Sequence, residues 1–251
     1  MLFALLTALG VGGATVLGAA LGFLFKRVSH KFSDAVLSFA AGVMLAAAIV
    51  GLIQPSLELG GKYAIWITVA GIFAGAALLH FADRFIPHLH NLMGIERETH
   101  NANEGVDKIM LFILAVAIHN LPEGLAAGVA SGQADLGNAI SVTVGIMLQN
   151  VPEGMIIISP LLLAGVSRGR AFAIAAFTGF IEVVGTMIGY FAVSVASVIL
   201  PFALALAGGT MLFVISDEMI PETHAHGFER MATYSLLLGF ALMLVMDYFI
   251  G

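Results

Sequence analysis

The sequence predicts an all-α integral membrane protein with eight transmembrane helices, and three observations support this prediction. Of the 251 residues, 60% are hydrophobic and 10% are charged, whereas soluble domains contain about 45–50% apolar and about 25% charged residues. Eight separate apolar segments are each long enough to cross a bilayer. Nine of the ten lysines and arginines lie between these segments or at their ends, on one side of the predicted bundle.

Each predicted span follows from the rule that a transmembrane helix needs about 20 mostly apolar residues. In chain order, the eight spans cover residues 1–25, 33–54, 62–84, 107–131, 136–164, 170–195, 199–222 and 229–250. The first span is not a secretory signal peptide, because its first positive charges, Lys26 and Arg27, follow the apolar stretch instead of preceding it. The connections are short, except for a polar, histidine-bearing loop at residues 85–106.

The positive charges orient the spans, because cytoplasmic loops of membrane proteins collect Lys and Arg. The charges on the shared side are Lys26, Arg27, Lys31, Arg84, Arg97, Lys108, Arg168, Arg170 and Arg230. Only Lys62 lies on the other side. The pattern predicts a multi-pass membrane protein with both termini outside the cytoplasm, and we expect this membrane to be the inner (plasma) membrane. The net charge of −6 and the lack of a basic patch argue against nucleic acid as a partner.

Two similar strings place polar residues in the middle of apolar sequence. AIHNLPEGLAAG covers residues 117–128, and LQNVPEGMIIIS covers residues 148–159. At a rise of about 1.5 Å per residue, His119 lies roughly 16 Å into the fourth span, near the centre of a hydrocarbon core about 30 Å thick. The same count places residues 149–153 and Glu182 near the middle of the fifth and sixth spans.

Three glutamates therefore lie at mid-membrane depth, namely Glu123, Glu153 and Glu182. Placing one charged side chain there costs about 2.5–3.5 kcal/mol on insertion scales. Such groups normally pair with a cation, but no Lys or Arg lies in the interior of a predicted span. Either the glutamates are protonated, or a cation from outside the chain balances their charge.

The spacing of the polar residues indicates which cation would suit them. Residues four apart share a helix face, and the residues that share or border the two faces are His119, Asn120, Glu123, Gln149, Asn150 and Glu153. Antiparallel helices with matching, proline-broken motifs at the midplane are typical of substrate sites in secondary transporters. Imidazole, carboxylate and amide ligands without sulfur suit Zn²⁺, Mn²⁺ or Fe²⁺.

At these residues the chain resembles the ZIP family of divalent-metal transporters. Residues 119–124, HNLPEG, are similar to the family's fourth-helix motif, and residues 149–154, QNVPEG, to its fifth-helix motif in the bacterial, GufA-like form. The resemblance covers the whole chain. It implies one transmembrane domain, residues 1–251, with a 3+2+3 inverted-repeat helical bundle, a cytoplasmic loop at residues 85–106, and a homodimer in the bilayer.

The resemblance also implies a metal site at the membrane centre that holds two ions. The implied primary ligands are His119, Glu123, Gln149 and Glu153, and the implied neighbouring ligands are Asn120, Asn150 and Glu182, with Glu123 and Glu153 bridging. Met44 resembles a second-helix ligand, with core packing as the alternative. The implied cytoplasmic exit consists of Asp217, Glu218, Glu222, His224 and His226, with a solvated helix end as the alternative.

The expected function is transport of divalent transition-metal ions toward the cytoplasm, with zinc first and Mn, Fe, Cd and Co as further candidates. The metal is then a substrate rather than a cofactor, and the protein is not an enzyme. Two alternatives remain at this point. An intramembrane metal-dependent hydrolase would need a motif such as H-E-x-x-H, which is absent. A proton-coupled carrier of an organic solute could use the glutamates as proton relays.

Overall fold

A computed structural model describes residues 1–24, 29–84, 120–163, 165–195 and 197–250. Within these ranges every regular element is a helix, and the all-α prediction is confirmed for them. Seven of their helices are long and apolar enough to cross a membrane. The remaining predicted span, residues 107–131, lies mostly outside the described part of the chain, and only residues 120–131 of it are described, as a helix.

The helices follow one another with short connections. In chain order they are α1 (Leu2–Gly22), α2 (His30–Ala46), α3 (Gln54–Leu59), α4 (Ala64–Arg84), α5 (residues 120–131), α6 (Leu136–Leu163), α7 (Arg168–Val195), α8 (Leu200–Val214), α9 (Ile220–Thr223) and α10 (Glu229–Ile250). π-helical turns join α2 to α3 at Ala47–Ile53 and α8 to α9 at Ile215–Met219. Each joined pair is therefore one continuous span.

The second span is longer at both ends than the predicted residues 33–54, because it runs over His30–Leu59. It begins where the Ser29 hydroxyl accepts a hydrogen bond from the backbone N–H of Phe32, which satisfies one free donor of the first turn. It continues through Pro55 because a wider π turn precedes the proline. The predicted span ends at residue 54, and the π turn is the reason that the helix continues through the proline.

A carbonyl of this π turn binds a side chain on another helix. Gly51 lies in the turn that precedes Pro55. Its oxygen accepts a hydrogen bond from Asn138 Nδ2 of α6 at 3.1 Å. A Cβ at Gly51 would overlap the Val142 side chain of α6, so glycine is needed for this approach. The π turn thus joins the second span to α6.

Glycines bring the other helices into close pairs. A Cβ added at Gly18 of α1 would overlap the backbone oxygen of Val151 in α6, and one at Gly42 of α2 would overlap that of Leu236 in α10. The pairs α4–α8 and α5–α7 meet through glycines in the same way. Small residues matter in a bilayer because lipid provides no hydrophobic drive for helices to associate, so close packing must do so.

Two adjacent glycines on α1 allow this packing to be tested. A Cβ at Gly12 would overlap the backbone oxygen of Gly179 in α7, whereas a Cβ at Gly13 would meet no described atom within 4 Å. We expect Gly12→Ala to lower the free energy of unfolding by about 1–3 kcal/mol through overpacking, and Gly13→Ala to leave it unchanged. Thermal unfolding of the purified variants in detergent measures both, and equal melting temperatures would contradict the packing of α1 on α7.

Candidate metal centre

The two polar motifs lie on α5 and α6, and their side chains join these helices to α1 and α7. Gln149 Nε2 of α6 donates to Glu123 Oε1 of α5 at 2.9 Å. Asn150 Nδ2 of α6 donates to Glu182 Oε2 of α7 at 2.6 Å and to the backbone oxygen of Val11 in α1 at 3.2 Å. Four helices therefore meet at one polar centre.

Glu182 accepts three side-chain hydrogen bonds in this centre. Its Oε1 accepts from Thr15 Oγ1 of α1 at 2.6 Å and from Asn120 Nδ2 of α5, and its Oε2 accepts from Asn150. The Glu182 side chain is fully buried. A buried polar group is costly unless it is hydrogen-bonded, and the three donors explain how a glutamate is accommodated inside the bundle.

The three mid-span glutamates lie within electrostatic reach of one another. Glu123 interacts with both Glu153 and Glu182, and Glu182 also interacts with Glu153. The exposed fractions of these residues are 1%, 8% and 0% respectively. Like charges repel more strongly in a medium of low dielectric constant than in water. The arrangement therefore favours a positive charge placed among the carboxyl groups.

Two amide oxygens of the centre are reached by no donor from the described residues. Because Gln149 and Asn150 both turn their nitrogen to a glutamate, their oxygens remain as acceptors. Gln149 Oε1 and Asn150 Oδ1 are buried, and no hydrogen-bond donor from the described part of the chain reaches them. A buried acceptor without a donor costs about 1–3 kcal/mol. A metal cation needs only acceptors and would satisfy such oxygens.

The remaining implied ligands are His119 and Met44. His119 lies outside the described residues. Met44 of α2 is 1% exposed and belongs to a buried apolar cluster with Ile146 of α6 and Met211 of α8. The structure thus accounts for Met44 by packing, and its role as a ligand stays a prediction. Among the described side chains, no group of three or more His, Cys, Asp or Glu is arranged to hold a metal, so the amides would have to contribute.

The implied exit residues lie around the end of the seventh span in different environments. Asp217 is exposed and Glu218 half-buried on the π turn between α8 and α9. The His224 ring contacts the backbone oxygen of Ile220 at 2.9 Å and the Thr233 hydroxyl at 3.2 Å. The imidazole of His224 therefore links α9 to α10.

His226 makes a contact that the sequence did not indicate. Its Nδ1 lies 3.0 Å from Asp34 Oδ1 of α2, its Nε2 lies 3.9 Å from Glu222, and its ring stacks on His30 at a centroid distance of 4.4 Å. Asp34 is only 2% exposed. The His226–Asp34 pair therefore joins the first turns of α2 to the segment between α9 and α10.

Sequence reasoning missed Thr15, Asp34 and the backbone oxygen of Val11. Thr15 is a polar residue in the middle of the first predicted span, at the depth of the glutamates, and this position was its one signal. Asp34 lies at a span end, where carboxylates are common, so nothing marked it. A backbone acceptor such as that of Val11 leaves no trace in a sequence.

Comparison with known proteins identifies the family. The model of the ZIP zinc transporter family matches residues 94–247, more than half of the chain. The chain belongs to the ZIP zinc transporter family. Zinc transporter GufA of Myxococcus xanthus is 40% identical over 255 residues, which cover 98% of each chain. Zinc transporter ZIPB of Bordetella bronchiseptica is 37% identical over 95% of this chain and 78% of the relative. Zinc transporter ZupT of Clostridium perfringens is 31% identical over 98% of this chain and 95% of the relative.

This membership confirms the resemblance found in the two motifs. As a ZIP-family member, the protein is a multi-pass membrane transporter of metal ions and not an enzyme. The metal is its transported substrate rather than a cofactor. The alternatives of an intramembrane hydrolase and of an organic-solute carrier are therefore not retained.

The His226–Asp34 pair gives a prediction about stability. We expect His226→Leu to destabilise the protein by about 1–3 kcal/mol, because it leaves the buried carboxyl group of Asp34 without its imidazole partner. The double variant Asp34→Leu/His226→Leu should unfold at a higher temperature than His226→Leu, since the buried carboxyl group that lost its partner is then also removed. Melting temperatures of the two single variants and the double variant measure this coupling, and strictly additive losses would disprove it.

Proposed function

We propose that the protein moves divalent transition-metal ions, zinc foremost, toward the cytoplasm through the polar centre where α1, α5, α6 and α7 meet. Manganese, iron, cadmium and cobalt are further candidate substrates. The observation that carries the proposal is the pair of buried amide oxygens of Gln149 and Asn150, which no donor of the described residues reaches, beside three carboxyl groups buried close to one another. The names of the related zinc transporters of Myxococcus and Bordetella support zinc as the main substrate.

The proposed ligands come from both motifs and from α7. They are His119, Asn120, Glu123, Gln149, Asn150, Glu153 and Glu182, with Met44 as a further candidate. The hydrogen bonds divide the centre into a Glu123–Gln149 pair and a group formed by Glu182 and the two asparagines. This division supports two neighbouring ion positions, with Glu123 and Glu153 bridging them.

We also propose that the bundle is a 3+2+3 inverted repeat. Gly154 of α6 packs on the backbone oxygen of Thr15 in α1, and Gly124 of α5 packs on that of Glu182 in α7. These two contacts match if α1 corresponds to α7 and α6 corresponds to α5. In the same way the second span corresponds to the seventh, and each of these two spans contains a π turn. Further matched contacts are Gly18–Val151 with Gly185–Leu121, Gly42–Leu236 with Gly209–Ile72, and Gly239–Phe39 with Gly75–Leu206.

These contacts support two groups of helices that could move against each other. One group contains α1, α5, α6 and α7, and the other contains the spans built from α2–α3, α4, α8–α9 and α10. An apolar cavity of about 340 Å³ lies at their boundary, lined by residues such as Phe39, Pro152 and Leu238. We propose that displacement of the first group carries the metal centre from one side of the membrane to the other.

The proposed placement in the cell follows from the charge pattern. We propose a single transmembrane domain over residues 1–251 in the inner membrane, with both termini outside and the loop at residues 85–106 in the cytoplasm. Asp217, Glu218, Glu222, His224 and His226 are proposed to receive ions on the cytoplasmic side. The large exposed apolar side chains of α4 and α10, such as Trp66 and Tyr248, offer surfaces for lipid and for a second copy of the chain.

Metal uptake into proteoliposomes tests the proposed centre. We expect Glu153→Gln to abolish uptake of Zn²⁺, Mn²⁺, Fe²⁺ and Cd²⁺, because it removes a charge from the centre at almost constant volume. Glu58→Gln, at an exposed acid of α3, is the matched control and should transport normally. Wild-type uptake by Glu153→Gln would refute the site.

Thermal unfolding with added zinc is a second test of the centre. Free zinc at 100 times its Kd should raise the free energy of unfolding of the wild type by about 2.7 kcal/mol and should leave that of Glu123→Gln/Glu153→Gln unchanged.

Gln149 supplies a test of metal selectivity. An amide oxygen is a hard ligand, whereas an imidazole nitrogen binds zinc more strongly than manganese. We expect Gln149→His to lower the apparent KM for zinc roughly tenfold, which corresponds to about 1.4 kcal/mol, and to raise the preference for zinc over manganese. Gln149→Leu, which has neither ligand, should weaken uptake of both ions. Equal changes for both metals in Gln149→His would contradict a ligand role for residue 149.

A further inference from the structure

We infer that Thr15 of α1 is a positioning residue of the metal centre and acts on it through Glu182; the inference rests on the proposed function. The Thr15 hydroxyl donates to Glu182 Oε1 at 2.6 Å. Both residues are buried, with exposed fractions of 1% and 0%. A threonine hydroxyl has one proton to donate, and Thr15 donates it to Glu182. Thr15 is thereby committed to holding the carboxyl group of a residue on another helix.

Glu182 in turn orients the two asparagine side chains. Carboxylate oxygens only accept hydrogen bonds, so an amide that contacts them must present its nitrogen. Asn120 and Asn150 both do so. The oxygen of each amide is then directed away from Glu182, and Asn150 Oδ1 remains buried without a donor from the described chain. Because Glu182 binds the amide nitrogens, the amide oxygens of Asn120 and Asn150, rather than their N–H groups, are available to a cation.

Thr15 fixes the plane of the Glu182 carboxyl group. The last torsion of a glutamate side chain has a broad energy minimum, so hydrogen bonds must set the plane of the carboxyl group. Asn120 and Thr15 meet on Oε1 while Asn150 binds Oε2, and of these donors Thr15 has the fewest rotatable bonds and a branched Cβ that restricts χ1. Loss of the hydroxyl would free the carboxyl group to turn and would let the amides turn with it.

The repeat explains why residue 15 is a threonine. Thr15 and Glu182 occupy matched positions in α1 and α7, since Gly154 packs on one and Gly124 packs on the other. Full symmetry would place a second carboxyl group at position 15, within hydrogen-bond distance of the first. Two such groups in a buried site cannot both be charged without a strong penalty. A hydroxyl at this position replaces that repulsion with a hydrogen bond.

Zinc uptake by three variants of α1 tests the inference. Loss of a residue that orients a metal ligand typically weakens metal affinity about 10–100-fold. We therefore expect Thr15→Val, which keeps the shape and removes the hydroxyl, to raise the apparent KM for zinc at least tenfold while the maximal rate changes much less. Thr15→Ser keeps the donor and should stay close to the wild type. Thr7→Val is the matched control, since Thr7 is buried on the same helix and its hydroxyl has no described partner.

A second readout separates positioning from stability. Thr15→Val should show a smaller zinc-induced rise in melting temperature than Thr7→Val, even if both melt alike without metal. An unchanged KM and zinc response in Thr15→Val would overturn the inference, as would equal defects in Thr15→Ser and Thr15→Val. If Thr15→Val does not fold, Thr15→Ala tests the loss of the hydroxyl with a smaller side chain. The inference alone fails if Glu153→Gln abolishes uptake and Thr15→Val does not, whereas normal uptake by Glu153→Gln refutes the proposed function itself.

Discussion

The burial of three carboxyl groups among four helices is the constraint on which the rest of the structure depends. An apolar interior does not tolerate such groups unless donors or a cation surround them. Thr15 and the amides of Asn120, Asn150 and Gln149 are the donors, and they come from three different helices. The bundle must therefore hold these helices close enough for short side chains to meet, and this requirement determines how the helices pack.

Glycine makes that approach feasible. Threonine and asparagine have short side chains, so their hydrogen bonds to Glu182 need backbones that almost touch. Gly154 and Gly124 provide this contact on either side of the polar centre, next to Thr15 and Glu182 respectively. The glycine that follows each glutamate in the two motifs is thus part of the site in a physical sense. The motif combines a ligand with the close contact that places its partners.

Much of the fold could be predicted from hydropathy, because a bilayer requires long apolar helices and the interior positions of charged residues are then conspicuous. Glu123, Glu153 and Glu182 were found in this way. The partners of these residues were not found, since the depth of a residue does not specify which neighbouring helix its side chain meets. Thr15 and the His226–Asp34 pair depend on that lateral arrangement. The π turn before Pro55 also escaped prediction, because a proline in a sequence indicates a break and does not indicate how the chain accommodates it.

The hydrogen bond from Asn138 to the Gly51 oxygen has a mechanical consequence. It spans the boundary between the two proposed groups of helices, and its acceptor lies in the π turn that precedes Pro55. Any sliding of α6 along the second span must exchange this bond for another. Asn138 is buried near the start of α6, with an exposed fraction of 8%, so this bond lies inside the bundle. The bond therefore ties the second span to the N-terminal end of α6 and lies away from the polar residues 149–153 of the same helix.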